Sequence, residues 1–143
     1  THDDILQTVN LAELGPDIEQ LPQGLGTIVG EKGVTLSGGQ RQRVALARAL
    51  LRDANILCLD DTLSAVDAET ERRLLKTLAM NQAQRHRTLI IVAHRLTAVK
   101  GADHIIVLNH GVVTEQGNHS TLINQQGWYA KMYAHQQLES DLE

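Results

Sequence analysis

The sequence predicts an α/β fold, and three observations carry that prediction. Two short apolar runs, ANILCL (54–59) and TLIIVA (88–93), have strand length and are apolar at nearly every position. Helical patterns over 38–51 and from about Asp67 to Gln84 alternate with them. Both runs end in polar groups, Asp60 and Asp61 after the first and His94 after the second. Strands alternating with helices argue α/β architecture, and near-continuous apolar runs fit a sheet covered on both faces. In open parallel sheets ligand chemistry gathers at the carboxyl ends of the strands.

From the N-terminus, DDILQTVNLAEL reads as a short helix. PDIEQLPQGLGTIVGEKG reads as Gly/Pro-punctuated loop with little strand signal, so residues up to about Gly33 form an appendage to a core. The next helix opens with Ser37 and Gln40 in a capping box, S-x-x-Q, and its apolar face is Val44, Leu46, Ala47, Leu50 and Leu51. Gly38 and Gly39 each cost that helix about 1 kcal/mol, which calls for a compensating use. By removing side chains from the first turn they expose backbone N–H groups to an approaching anion. A capped amphipathic helix and a phosphate holder are both open readings, and they are compatible.

TLSAVDAETE (62–71) leads into the long helix, with Asp67 as its N-cap and Glu69 and Glu71 in its first turn. That capping role leaves room for a second one at an interface. After TLIIVA come a short helical segment beyond His94, then the strands HIIVLN and GVVTEQ, which pair as a hairpin across Asn109 to Gly111. Helices from about His119 and about Trp128 close the chain.

The chain has 143 residues, 42% hydrophobic and 21% charged, which fits one soluble globular domain and excludes disorder and collagen-like structure. Thirteen basic against seventeen acidic residues give a net charge of −4, which argues against nonspecific nucleic-acid binding. The single cysteine, Cys58, cannot form an internal disulfide; within ILCLDD it is expected to be a small buried hydrophobe, and a reducing compartment fits best. No apolar run approaches the roughly 18 residues of a membrane span, and no basic-then-apolar signal opens the chain. Membrane attachment is therefore expected through a partner or through sequence outside this chain. Because the chain starts at Thr1 rather than Met, it is expected to be a processed product or an excised piece.

Adjacent carboxylates at the end of an apolar strand are costly unless hydrated, paired or bound to a cation. Asp60–Asp61 is thus either a solvated strand end or the magnesium site of a P-loop nucleotide hydrolase. In such a site the first carboxylate holds the metal, usually through water, and the second polarises the attacking water. His94 alone is more often structural, but on a neighbouring strand end an imidazole can hydrogen-bond a γ-phosphate oxygen.

LSGGQRQR (36–43), ILCLDD (56–61), SAVD (64–67) and AHRL (93–96), in this order and spacing, resemble the second half of an ABC transporter ATPase domain. LPQGLGTIVGEKG before them and GVVTEQGNHSTLINQQGWYAKMY after them resemble the exporter branch, in particular bacterial multidrug-resistance-like exporters whose membrane and ATPase domains share one chain. The resemblance implies a partial P-loop NTPase (RecA-like) core with part of the ABC helical subdomain. Residues 1–52 would belong to the helical subdomain and 53–143 to the second half of the core.

It further implies that Ser37, Gly38, Gly39 and Gln40 form the signature loop, which contacts the γ-phosphate of ATP held by the opposite ATPase domain. Asp60 becomes the Walker B magnesium residue, Asp61 the catalytic carboxylate and His94 the switch histidine. Ser64, Ala65, Val66 and Asp67 become the D-loop across the dimer interface. Thr62 and Leu63 stand where many relatives have other residues. Asp61 stands in place of the commoner glutamate and is one methylene shorter, and a misplacement of about 1 Å can cost on the order of 100-fold in rate. Hydrolysis stays the favoured reading, since Asp-Asp also occurs in this branch, but ranks below ATP binding as an expectation for this site.

The phosphate cradle G-x-x-x-x-G-K-[ST] occurs nowhere in the sequence. GTIVGEKG (26–33) has glycines and Lys32 but not the Gly-Lys-Ser/Thr order, and reads as loop. The glutamine loop and the adenine-stacking aromatic are not identifiable either, and the spacing of Trp128, Tyr129 and Tyr133 suggests packing or docking. The chain is therefore expected to be the C-terminal part of a larger ATPase domain, binding ATP weakly or not at all by itself. Apolar surface and a sheet edge are expected to be exposed, favouring self-association.

The expected function is the motor portion of an ABC exporter, using ATP and Mg2+ at the cytoplasmic face of the plasma membrane. Its expected partners are a second ATPase domain and the transporter's transmembrane domains, with no nucleic acid. An ABC-type ATPase acting on nucleic acid and a noncatalytic interaction module are the alternatives. The acidic net charge and the absence of coiled-coil heptads speak against the first.

Overall fold

In a computed structural model that describes residues 1–142, side-chain caps open four of the described α-helices. Helix α1 (His2–Leu11) starts behind Thr1, and α2 (Gly15–Glu19) has Pro16 in its first turn, where a missing N–H costs nothing. This short helix lies within a segment that reads as loop in the sequence. Helix α3 (Gly38–Leu51) carries the expected capping box: Gln40 N–H donates to Ser37 Oγ at 3.1 Å, and Ser37 N–H donates to Gln40 Oε1 at 2.8 Å. Asp67 caps α4 (Ala68–Gln84), accepting the Thr70 N–H at 2.9 Å. That backbone hydrogen bond is the main reason the Asp67 carboxyl sits below its ordinary range.

The described chain divides into two compact units, with the boundary between Val92 and Ala93. In the first, strands β1 (Ile56–Asp60) and β2 (Thr88–Val92) pair in parallel, with Ile56 opposite Thr88 and Asp60 opposite Val92. Helix α4 makes the crossover between them and packs on β2, while α1 lies against α3 and α4. Leu46, Leu50, Leu74 and Leu78 are buried in this unit.

The strands alternate where the sequence reading expected burial on both faces. Leu57 and Leu59 are buried, whereas Ile56 is 60%, Ile90 46% and Val92 52% exposed. Cys58 shares a face with Ile56 and is exposed rather than buried. With a side-chain period of two, one face of a two-stranded sheet packs on the helices, and no described residue buries the other. The exposed apolar surface expected from the sequence is therefore present on this face.

In the second unit a 3-10 turn (Leu96–Ala98) is followed by β3 (Ile105–Asn109) and β4 (Val112–Gly117), an antiparallel hairpin. His110 and Gly111 form its two-residue turn with φ of 47° and 78°, both left-handed, as a primed hairpin turn requires. Helices α5 (His119–Gln125) and α6 (Trp128–Ser140) complete the unit. Its core is Leu96, Ile105, Val107, Leu122 and Tyr129. Gly127 has no side chain to cap α6, so Glu115 on β4 takes that part, accepting from Trp128 N–H at 2.5 Å and Tyr129 N–H at 3.2 Å.

The fully buried Tyr129 places its hydroxyl 2.9 Å from His119 Nδ1, and the His119 and Tyr133 rings meet edge to face at 4.8 Å. Burial first, and the Lys100 ammonium second, push the His119 imidazole below its ordinary 6.5. The unfolded chain then takes up a proton near 6.5 while the folded one resists it. The stability contributed is complete above 6.5 and is lost as pH falls from there through the folded value. Thermal melting of the protein at about pH 7.5 and about pH 5.5 is expected to show this decline, and His119→Gln is expected to flatten it, since glutamine has no proton to take up in that range.

Candidate functional site

The first turn of α3 is the natural starting point, because its leading N–H groups have no carbonyl within the helix to receive them. Ser37 is exposed, and Gly38 and Gly39 present only backbone there. Gln40 is engaged at both ends of its amide: Oε1 holds the Ser37 N–H, and Nε2 donates to Asp17 Oδ1 at 2.9 Å. Asp17 Oδ2 also accepts from Arg43 Nη2 at 2.6 Å, a half-shielded ion pair that ties α2 to the start of α3. This turn can offer an anion the Ser37 hydroxyl and free backbone donors. The Gln40 amide serves to hold the turn's shape.

The glycines have a further role that the sequence did not disclose. A Cβ on Gly39 would lie 3.0 Å from the Ala65 carbonyl oxygen and 3.4 Å from Val66 Cγ1, and one on Gly38 would lie 3.5 Å from Ala65 Cβ. The helix start is thus packed against the backbone of the 64–66 loop. Gln42, one turn further on, fastens the two together. Its Oε1 accepts the Ala65 N–H at 2.9 Å, and its Nε2 donates to Ser64 Oγ at 3.0 Å.

Beyond the end of β1, Asp61 adopts a left-handed conformation with φ 48°. Its N–H donates to the Val92 carbonyl at 3.2 Å, continuing the ladder to β2, and its carbonyl accepts from Ser64 Oγ at 3.0 Å. Asp60 and Asp61 are both exposed. A single strand-end carboxylate such as Asp60 suits Mg2+, which keeps most of its waters and takes one or two protein carboxylates beside substrate phosphates. No group of three or more His, Cys, Asp and Glu residues arranged for a metal occurs among the described residues.

In the second unit His94 is exposed, and the backbone around it is held by α6. Gln136 Nε2 donates to the His94 carbonyl at 2.9 Å, and Gln136 Oε1 accepts the Leu96 N–H at 2.8 Å. GTIVGEKG is a closed turn, as its loop reading expects: Gly30 N–H bonds the Val34 carbonyl and Val34 N–H the Ile28 carbonyl. A Cβ on Gly33 would fall 2.0 Å from the Ile28 carbonyl oxygen, so this glycine answers a crowded backbone.

A family model described as "ABC transporter" matches residues 3–64, which include the whole first turn of α3 and the acidic strand end. The matched stretch is similar to ABC transporter ATPase domains. Over its full length it is 52% identical to the multidrug resistance-like ATP-binding protein MdlA of Escherichia coli and covers 24% of that protein. A probable multidrug resistance ABC transporter ATP-binding/permease protein, YheI of Bacillus subtilis, is 47% identical over 96% of the chain and 23% of the relative. The structure of a bacterial Atm1-family ABC exporter with ATP bound superposes with a TM-score of 0.85 at 40% identity, covering 95% of this chain and 23% of that one. The α/β fold expected from the sequence is thus that of an ABC exporter ATPase domain, a P-loop NTPase, and the chain spans about a quarter of the length of these relatives.

Asp17, Gln42 and Gln136 are polar anchors to which the motifs assign no role. Gln40 and Arg43, three residues apart on one helix face, do signal a shared acceptor; that it is Asp17 depends on packing across more than twenty residues. Gly39→Ala tests the close packing of helix and loop. The added methyl group gains up to about 1 kcal/mol in helix propensity, but overpacking against a backbone carbonyl costs about 1–3 kcal/mol, so a net loss is expected. Denaturant unfolding of the variant measures it, and a more stable Gly39→Ala would contradict the contact.

Proposed function

We propose that these 143 residues are the C-terminal part of the ATP-binding and ATP-hydrolysing motor of an ABC exporter. The supporting observation is the hydrogen-bonded contact between the glycine-opened first turn of α3 and the loop after an acidic strand end. It joins two motif segments within a chain that is 52% identical to a multidrug resistance-like ATP-binding protein. Residues 1–52 contribute to the helical subdomain and 53–143 to the second half of the ATPase core.

In this reading Ser37, Gly38 and Gly39 present a hydroxyl and backbone N–H groups to the γ-phosphate of ATP held by a second ATPase domain, while Gln40 braces the turn. Backbone donors at a helix start suit that task because they are fixed in place before the anion arrives. Asp60 would hold Mg2+, which when bound would neutralise phosphate charge. Asp61 accepts the proton of the attacking water, and His94 hydrogen-bonds a γ-phosphate oxygen. Ser64, Ala65 and Asp67 face the partner domain. ATP binding closes two such domains on each other and hydrolysis reopens them, driving the transmembrane domains at the cytoplasmic face of the membrane. No helix among the described residues is long and apolar enough to cross a membrane, so in this reading the span is supplied elsewhere in the transporter. The relatives' names, which include an ATP-dependent lipid A-core flippase of Shewanella, support transport over action on nucleic acid.

In the full-length protein, Asp61→Asn keeps the side chain's size and removes its basicity. ATP turnover is expected to fall by about 100-fold or more with nucleotide binding retained, as for loss of a general base. Turnover near the parent level would remove Asp61 from that role. The isolated 143-residue chain is expected to show no measurable ATPase activity at micromolar concentration, since no Gly-Lys-Ser/Thr cradle is present. Robust magnesium-dependent hydrolysis by the purified chain would overturn the assignment to part of a domain.

A further inference from the structure

Gly38 and Gln42 are four residues apart and so lie on one face of α3, and that face meets the 64–66 loop. Gly38 lies over Ala65, and Gln42 fixes the contact with two hydrogen bonds, one accepted from Ala65 N–H and one donated to Ser64 Oγ. The Ser64 hydroxyl, having accepted from Gln42, donates its own proton to the Asp61 carbonyl at 3.0 Å. Asp61 is a non-glycine residue in the left-handed region, a conformation that costs about 1–2 kcal/mol and persists only when neighbours hold it. Its backbone is gripped on one side by the Val92 carbonyl and on the other by this Ser64 hydroxyl, which shortens a hold that the Ser64 N–H alone makes at 3.4 Å.

We propose that Gln42 is a positioning residue, linking the anion-facing first turn of α3 through Ser64 to the backbone of Asp61, so that a phosphate docked on the helix start sets the aim of the carboxylate. The inference rests on the ATPase reading above. A glutamine suits the position because one planar amide both accepts and donates, which neither Glu nor Lys nor Arg can do at pH 7. The link also bears on the short Asp61 side chain. With one methylene fewer than glutamate, its carboxylate depends more closely on where the backbone places it.

The relay predicts a pattern that a merely structural role would not give. In the purified full-length protein, Gln42→Glu keeps an acceptor for Ala65 N–H. It removes the donor to Ser64 and draws the serine hydroxyl away from Asp61. Gln42→Glu, Gln42→Ala and Ser64→Ala are each expected to lower kcat for Mg-ATP hydrolysis by about tenfold with KM for ATP changed by less than about twofold, as expected for lost positioning. The double variant Gln42→Ala/Ser64→Ala is expected to be no slower than the slower single, since all act on one link. Gln42→Glu is expected to melt with the parent, which separates the effect from unfolding. A parent-like kcat in Gln42→Glu, or losses that multiply in the double variant, would overturn the relay while leaving the ATPase reading intact. A parent protein that does not hydrolyse Mg-ATP would overturn that reading, and the relay with it.

Discussion

Where the start of α3 packs on the backbone of the 64–66 loop, the space for a side chain at Gly39 is short, and the first unit's polar anchors gather around that contact. At Gly39 even a methyl group would press on the Ala65 carbonyl at 3.0 Å. The two glycines weaken α3 locally by about 1 kcal/mol each, and neighbouring polar contacts offset this. The capping box supplies two hydrogen bonds, Asp17 braces Gln40 and Arg43, and Gln42 joins helix to loop. Each such bond contributes about 1 kcal/mol net, so the ensemble outweighs the cost while keeping the leading N–H groups open.

The same constraint couples parts of the chain that are far apart in sequence. The 61–67 loop is short, carries a left-handed residue at Asp61 and is capped at its far end by Asp67 on α4. It is fixed at three places: to β2 through Val92, to α3 through Gln42, and to α4 through Asp67. In the second unit Gln136 holds the backbone at His94 and Leu96 from α6 in a comparable way, with one amide making both bonds. A side-chain amide that satisfies one carbonyl and one N–H together suits irregular backbone, because it leaves neither group unpaired.

Much of the fold was legible because its signals are local. The capping box at Ser37 and Gln40, the Asp67 cap and the turn at His110–Gly111 each depend on residues within four positions of one another. Helix periodicity placed α3, α4, α5 and α6. Cys58 and the outer strand face were misjudged, since ILCL is apolar at every position and the sequence alone does not say which faces are covered. The covering element has to come from somewhere, and among the described residues it covers only the Leu57 and Leu59 face. Helix α2 was missed because five residues opened by Gly and Pro look like a turn.

The sequence by itself determined the helix and strand elements other than α2, the resemblance to ABC transporter ATPases through four motifs in register, and the residue types able to meet phosphate, metal and water. Those follow from short-range spacing and from chemical identity. Only the tertiary structure decided that Gly38 and Gly39 face Ala65 as well as solvent, that Gln40 is tied to Asp17, and that Gln42 connects α3 to Ser64 and Asp61. These contacts span about twenty residues or more of chain and depend on how α2, α3 and the strand end pack. A pattern confined to one helix cannot encode which carbonyl or hydroxyl a distant loop will bring to it.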